Sequence, residues 1–315
     1  MSTNQTNNKA RAAYAGYNAG KHKKKMSGAD LRYNIIAGII FSIAAFICIY
    51  PLYYLLICTI SNNQMVEVGA ITWRPVGIHF DNYKEVLEVE NLGSSVIVTV
   101  LRTVIGTVLS VVVTAYTAYF FTKQEMWGRK FWYRFCVATM YFSAGLIPVY
   151  LNNKLLHLTN TFYIYIIPGI ISVYNMVLIK TSIESMPAEL EESAYLDGAG
   201  YFTRLFRIVF PLQKPILATV ALFTAVGHWN DFFTTKLYIV NPKLYTMQFV
   251  LYEMLNQVQA QAAQFTSDNA LSASSVSPTS IRMTMTAVTI IPIMVVYPFA
   301  QKYFTQGLML GAVKG

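Results

Sequence analysis

Six apolar segments, each long enough to cross a bilayer, limit what this 315-residue chain can become. They cover 34–60, 95–121, 131–151, 161–183, 215–233 and 283–304, against a requirement of about 20 apolar residues for one spanning helix. Inside lipid, backbone N–H and C=O groups must find partners within their own segment, so such runs fold as helices. The expected class is all-α, a polytopic membrane protein with six transmembrane helices. Pro51, Pro148, Pro168, Pro292 and Pro298 fall within these runs, where neighbouring helices can satisfy the backbone groups they free. With 55% hydrophobic and 12% charged residues, the composition departs from that of a soluble domain.

Basic residues orient the bundle. With both termini in the cytoplasm, seventeen Lys and Arg fall on the inner side and six on the outer, and Arg102 lies within a span. That asymmetry is the positive-inside pattern and places both ends in the cytoplasm of a multi-pass protein. The net charge of +9 then reflects topology and contact with anionic membrane lipid; no soluble basic face points to nucleic acid. Residues 1–33 read as a disordered cytoplasmic tail ending in the basic run 21–25, too long a basic region for a secretory signal. Cys48, Cys58 and Cys136 fall in the apolar runs as small hydrophobes, and His22, His79, His157 and His228 are scattered, so no metal site is expected.

Between the fourth and fifth segments lies a polar unit, 184–214, unlike any other connection. Pro187 suits a first helical turn, and Glu189, Glu191 and Glu192 favour the positive end of that helix dipole. Gly198 and Gly200 supply turn conformations. A second helical pattern follows, with Phe202, Leu205, Phe206 and Val209 forming an apolar stripe and Arg204 and Arg207 lying off it. The outer connection 235–282 is the longest, helix-like at 245–264 and rich in Ser, Asn and Ala at 266–279.

No catalytic constellation is present. The chain lacks a phosphate-binding Gly-rich loop with Lys and Ser or Thr, a Gly-x-Ser-x-Gly elbow and a His-Glu-x-x-His helix. Nucleotide hydrolysis is therefore not expected of this chain itself. Two intramembrane features stand out instead. His228, Trp229, Asn230 and Asp231 end the fifth segment, and polar groups there line a path because lipid cannot satisfy them; Trp229 could equally anchor or pack the span. Arg102 lies about 10 Å into the second segment at about 1.5 Å per residue, which leaves open both snorkelling outward and pairing with Asp231.

The spacing of Glu192, Gly198, Ile208 and Pro211 resembles the Glu-Ala-Ala loop of permease subunits from ATP-binding-cassette importers, the cytoplasmic element that docks onto the ATPase. Ser193 stands where Ala is usual and Phe210 where Leu is usual. The segment GHWNDFF at 227–233, the C-terminal residues 297–315 and, less specifically, SAGLIPVY at 143–150 are similar to the MalG-like carbohydrate-uptake branch, especially its permeases for oligosaccharides and uronate-containing sugars. The likeness covers 34–315 and implies a type I importer transmembrane domain in a prokaryotic plasma membrane.

The resemblance also implies roles. Glu191, Glu192, Ala194, Asp197, Gly198, Ala199, Phe202, Phe206, Ile208 and Pro211 would couple to the ATPase, with Glu192 holding the loop or touching the ATPase and 311–315 reaching toward it. The partners would be a second, MalF-like permease in a heterodimer, two ATPase subunits that carry ATP and Mg, an extracellular solute-binding protein and a carbohydrate substrate. No cofactor is expected on this chain. Gln257, Gln261, Gln264, Asn269 and Ser272 would meet the binding protein, where amide and hydroxyl groups compete for sugar hydrogen bonds; a mere tether is the alternative. Other readings are a permease for amino acids or peptides, a secondary transporter, which would carry more intramembrane ionisable groups, and a membrane enzyme or sensor, which would need a paired-carboxylate or nucleophile cluster.

Overall fold

The small and hydroxyl-bearing residues of the second apolar segment let other helices approach it closely, and the fold is organised around that segment. In the computed structural model, which describes residues 28–264 and 278–312, every regular element among the described residues is helical. Helix α1 (Gly28–Thr59) belongs up to Tyr54 to a separate compact unit, and its apolar side chains there, such as Ile40 and Phe41, are exposed. The second unit begins at Leu55. It contains α2 (Asn63–Glu67), α3 (Asp81–Glu88), α4 (Leu92–Phe120), α5 (Arg129–Thr139), α6 (Leu146–Leu155) and a 3-10 turn (Phe162–Tyr165). There follow α7 (Val173–Glu184), α8 (Glu189–Leu196), α9 (Tyr201–Leu212), α10 (Lys214–Asn230), α11 (Phe233–Tyr238), α12 (Met247–Gln264) and α13 (Pro278–Ala312).

Helix α4 touches all three apolar clusters of the second unit. Near its start Leu92 packs with Val86, Met247, Val250, Leu251 and Met285. Val98 then joins Ile164, Tyr165, Ile166 and Ile239. At its far end Ala115, Ala118 and Tyr119 meet Met176, Ile179 and Ile183 of α7, Leu205 and Val209 of α9, and Val220 of α10. The buried face of α4 carries Ser95, Thr99, Gly106, Ser110 and Thr114, the small-residue pattern that permits close helix packing in lipid. Thr99 Oγ1 also accepts a bond from Met247 N at 2.9 Å, fixing the start of α12.

Among the described residues, three helices are long and apolar enough to span: Asp30–Thr59, Leu92–Phe120 and Thr279–Pro298. Helices α9 and α10 pass the same test only when taken together, and they are bent by 84° at their junction. The segments 131–151 and 161–183 are not continuous helices. Helix α5 stops at Thr139, and Gly145 at φ +85° starts α6, in whose first turn Pro148 is tolerated but through which it could not continue an earlier helix. In 161–183, Pro168 and Gly169 separate the 3-10 turn from α7. The tail 1–27 and residues 313–315 lie outside the described residues.

Candidate functional site

Where α4 passes the broken segments, a cavity of about 730 Å³ opens. Arg102 and Ser110 line it from α4, Phe223, Thr224 and His228 from α10, and Asn153, Tyr165 and Asn175 from the broken side. Arg102 is 2% exposed. Its guanidinium forms an ion pair with the Asp231 carboxylate and donates at 3.0 Å to the Asp231 carbonyl. Its Cζ sits 4.4 Å from the centre of the Tyr165 ring, a cation–π contact. Pairing, rather than snorkelling, is therefore the state of Arg102. Tyr165 is held by its hydroxyl, which donates to the Leu244 carbonyl at 2.8 Å and shares a hydrogen bond with Thr235 at 2.9 Å.

The four residues proposed for a translocation path divide. His228 and Asp231 line the cavity, while Trp229 and Asn230 are not part of its lining. Trp229 packs into the cluster of α3, α12 and α13 and donates its indole N–H to Thr289 O at 3.1 Å, so it is a packing residue. Asn230 accepts from Gln248 at 3.1 Å. The His228 ring lies against Gly106, where an added Cβ would fall 2.5 Å from Nε2. Only glycine permits that approach of α4 and α10. Asn153, Asn175, Tyr165 and Ser110 escaped the sequence reading because single polar residues in apolar runs carry no spacing signal.

The unit 184–214 forms the second cluster. Helix α8 ends in a Schellman turn: Gly198 N–H donates to Tyr195 O at 3.0 Å and Ala199 N–H to Ala194 O at 2.9 Å, with Gly198 at φ +79°. Asp197 caps α8 and is exposed. Glu191, not Glu192, ties the unit down. Its Oε1 accepts from Tyr119 Oη at 2.6 Å and from Arg204 at 3.3 Å, and it pairs with Lys123 just beyond α4. Burial alone would raise the Glu191 pKa, but the bonds from Lys123 and Tyr119 and the charges of Lys123 and Arg204 outweigh it and hold the carboxyl below its ordinary range. Glu192 is exposed.

Helix α9 departs from the expected stripe. Its middle, Leu205–Val209, is a π-helix with Leu205 and Val209 buried, and Arg204 just before it is buried as well. Arg204 thus lies inside, over the rings of Tyr195 and Tyr201 at 5.2 and 4.6 Å. Phe202 stays 64% exposed while stacking on Tyr116 at 5.8 Å, and Phe206 is exposed beside Phe210. Ile208 is half-buried and Pro211 exposed. With Leu190, Leu196 and Leu212 also exposed, the unit presents an apolar surface. Gln213, 5% exposed, pins the bend between α9 and α10 to Ser182 of α7. Of the residues assigned to the outer connection, Gln257 is exposed on α12, Gln261 and Gln264 belong to the backbone of the same helix, and Asn269 and Ser272 lie outside the described residues.

A helical membrane protein with a polar cavity beside its central span and an apolar-faced loop tied to that span's end is built as a transport component. The chain belongs to the family of binding-protein-dependent transport system inner membrane components, whose signature covers residues 35–309. It is 32% identical over 271 residues to the polygalacturonan/rhamnogalacturonan transport system permease protein YtcP of Bacillus subtilis (strain 168), covering 86% of this chain and 94% of that protein. Protein LplC of the same organism is 34% identical over 271 residues, 85% of this chain and 90% of the relative. Among solved structures, a bacterial ABC transporter involved in the import of the acidic polysaccharide alginate superposes with a TM-score of 0.79 at 29% identity, covering 88% of this chain and 98% of that one.

Proposed function

We propose that this chain is a permease subunit of an ATP-driven oligosaccharide importer in a prokaryotic plasma membrane. It forms the translocation path with a second, MalF-like permease and draws its energy from two separate ATPase subunits, which hold the ATP and Mg. An extracellular solute-binding protein delivers the sugar. YtcP is named for polygalacturonan/rhamnogalacturonan transport and the solved structure for alginate import, and the amino-acid or peptide alternative finds no support among them. The chain crosses the bilayer six times with both ends inside. The segments 131–151 and 161–183 are spans interrupted where they border the cavity, the one setting in which irregular backbone is tolerated at membrane depth.

The observation that carries this reading is the unit 184–214. Its Schellman turn and Glu191 cluster fix α8 and α9 to the end of α4, while Phe202, Phe206, Leu190 and Leu196 stay uncovered for a partner. Closure of the ATPase dimer on that surface moves α4 and α10, which wall the cavity. Glu192, exposed beside the cluster, is placed to meet the ATPase. The test is the whole importer reconstituted in proteoliposomes. Glu192→Lys should assemble normally yet cut ATP-driven oligosaccharide uptake severalfold. Unchanged uptake and unchanged stimulation of ATP hydrolysis by loaded binding protein would remove this loop from energy transmission.

A further inference from the structure

Four polar side chains around the cavity are left with unspent hydrogen-bonding capacity, while Tyr165, Asp231 and Tyr238 in the same wall are tied off. Asn175 is 8% exposed, and its side-chain amide has no partner among the described residues. Asn153, 5% exposed, gives its amide nitrogen to Tyr238 Oη at 3.1 Å and keeps its carbonyl oxygen free. Ser110 has no hydroxyl partner among the described residues, and Thr224 Oγ1 is buried without one. All four line the same cavity, whose volume of about 730 Å³ falls within the range of about 300–1,000 Å³ usual for ligand sites. Buried polar groups with no partner are rare and point to a ligand or water that satisfies them.

The charges of the cavity tell the complementary story. Arg102 and Asp231 are the lining residues with full charges, and they pair with each other, leaving the Arg102 Nε–H without a partner. No unpaired cation among the described lining residues awaits a carboxylate. Amides and hydroxyls both donate and accept, which is what vicinal sugar hydroxyls require. The half-exposed ring of Phe233, also in the lining, offers a flat apolar face of the kind a pyranose ring covers. A lipid chain would satisfy none of the four polar groups.

We infer that this chain carries its own saccharide subsite, in which Asn153, Asn175, Ser110 and Thr224 exchange hydrogen bonds with the hydroxyls of an uncharged sugar face. The inference rests on the oligosaccharide reading above and goes beyond it. It places sugar contacts on this subunit, and it assigns any uronate carboxylate of the substrate to groups outside this cavity.

The experiment uses the complete importer in proteoliposomes with a panel of neutral and uronate di- to tetrasaccharides. Loss of one neutral hydrogen bond weakens retention by roughly two- to tenfold. Asn175→Leu and Asn153→Leu should therefore each lower the number of saccharides moved per ATP by at least twofold. A second measurement does not depend on those variants folding. With Cys48, Cys58 and Cys136 replaced by Ser, Asn175→Cys should react with a small methanethiosulfonate reagent. A transported saccharide should slow that reaction at least threefold, equally for neutral and uronate forms. An unchanged transport ratio in both Leu variants, or modification that no transported saccharide slows, overturns the subsite while leaving the importer reading intact. Protection by uronate forms alone overturns the uncharged-face assignment. A wild-type importer that moves no saccharide overturns the transport reading itself and the subsite with it.

Discussion

Replacing Glu191 by Ala tests the tie between the loop and the central span. In the native protein one carboxylate faces two cations whose side chains are only 12% (Lys123) and 7% (Arg204) exposed, and it accepts a further bond from Tyr119. Removing one member of a buried ion pair costs about 3–5 kcal/mol because the remaining charge is stranded. The Glu191 side chain is 20% exposed, so water softens the loss, and about 2–3 kcal/mol is expected. That energy holds α8 against α4, so its loss should appear as local opening. Hydrogen exchange in α8 should accelerate roughly 30- to 150-fold in the reconstituted importer, while exchange in α12 stays unchanged. Glu191→Gln keeps an acceptor for Tyr119 and should fall between. The carboxyl is held below its ordinary value of 4.5, so its contribution is complete above that pH and lost as pH falls through the depressed value. Protection of α8, corrected for intrinsic exchange, should be flat from about pH 5 to 8 and decline as the pH falls below 4.5 through the depressed value. If Glu191→Ala leaves the exchange of α8 unchanged, the cluster does not fasten the loop.

Gly198→Val places a β-branched residue at φ +79°, where the left-handed conformation costs about 1–2 kcal/mol or more. ATP-driven uptake should drop severalfold with normal membrane insertion, and wild-type uptake would mean the turn is dispensable. Gly106→Leu forces a side chain into the His228 ring, an overpacking worth about 1–3 kcal/mol, and should lower the thermal aggregation midpoint of the detergent-solubilised importer. Asp231→Asn strands the Arg102 charge and, with the Asp231 side chain 25% exposed, should destabilise by about 2–3 kcal/mol in the same assay, whereas Arg102→Met combined with Asp231→Leu should recover much of the loss; equal effects would deny the pairing. On the charge asymmetry, Ala270→Cys should be labelled by an impermeant reagent in intact cells and Ala10→Cys should not, with the reverse pattern refuting the orientation.

The apolar runs at 34–60, 95–121 and 283–304 were legible because hydropathy over a whole span is a sum that single residues cannot undo. The runs at 131–151 and 161–183 passed the same sum, yet hydropathy does not register that Gly145 takes φ +85° or that Pro168 and Gly169 sit in a non-helical stretch between the 3-10 turn and α7. The turn at Gly198 was readable from composition alone, since a left-handed helix end favours glycine strongly. The choice of Glu191 over Glu192 was not, because adjacent helical residues differ by about 100° in direction and only the position of Lys123 decides between them. Arg204 lies off the expected apolar stripe and is nevertheless buried, beside Glu191 and the rings of Tyr195 and Tyr201. A π-helical turn shifts the register locally, and no pattern of period 3.6 foretells it. Arg102 and Asp231 could be suspected as partners, since each is costly alone in lipid, but their contact across 129 positions depends on how α4 and α10 pack.

The 84° bend between α9 and α10 makes the pair a crank. At about 1.5 Å per residue, the arm Tyr201–Leu212 is about 18 Å long and the 17-residue α10 about 26 Å. Displacing the tip of the short arm by about 1 Å, pivoting near Gln213, tilts the pair by about 3° and sweeps the far end of α10 through about 1.4 Å. That far end adjoins Asp231, which grips Arg102, so the stroke pulls on α4 about a third of the way along its length rather than dissipating in a free terminus. The leverage is modest, close to one and a half, and it exchanges force for travel. In the coupling role proposed above, a loop built this way would deliver small, stiff motions to the cavity wall.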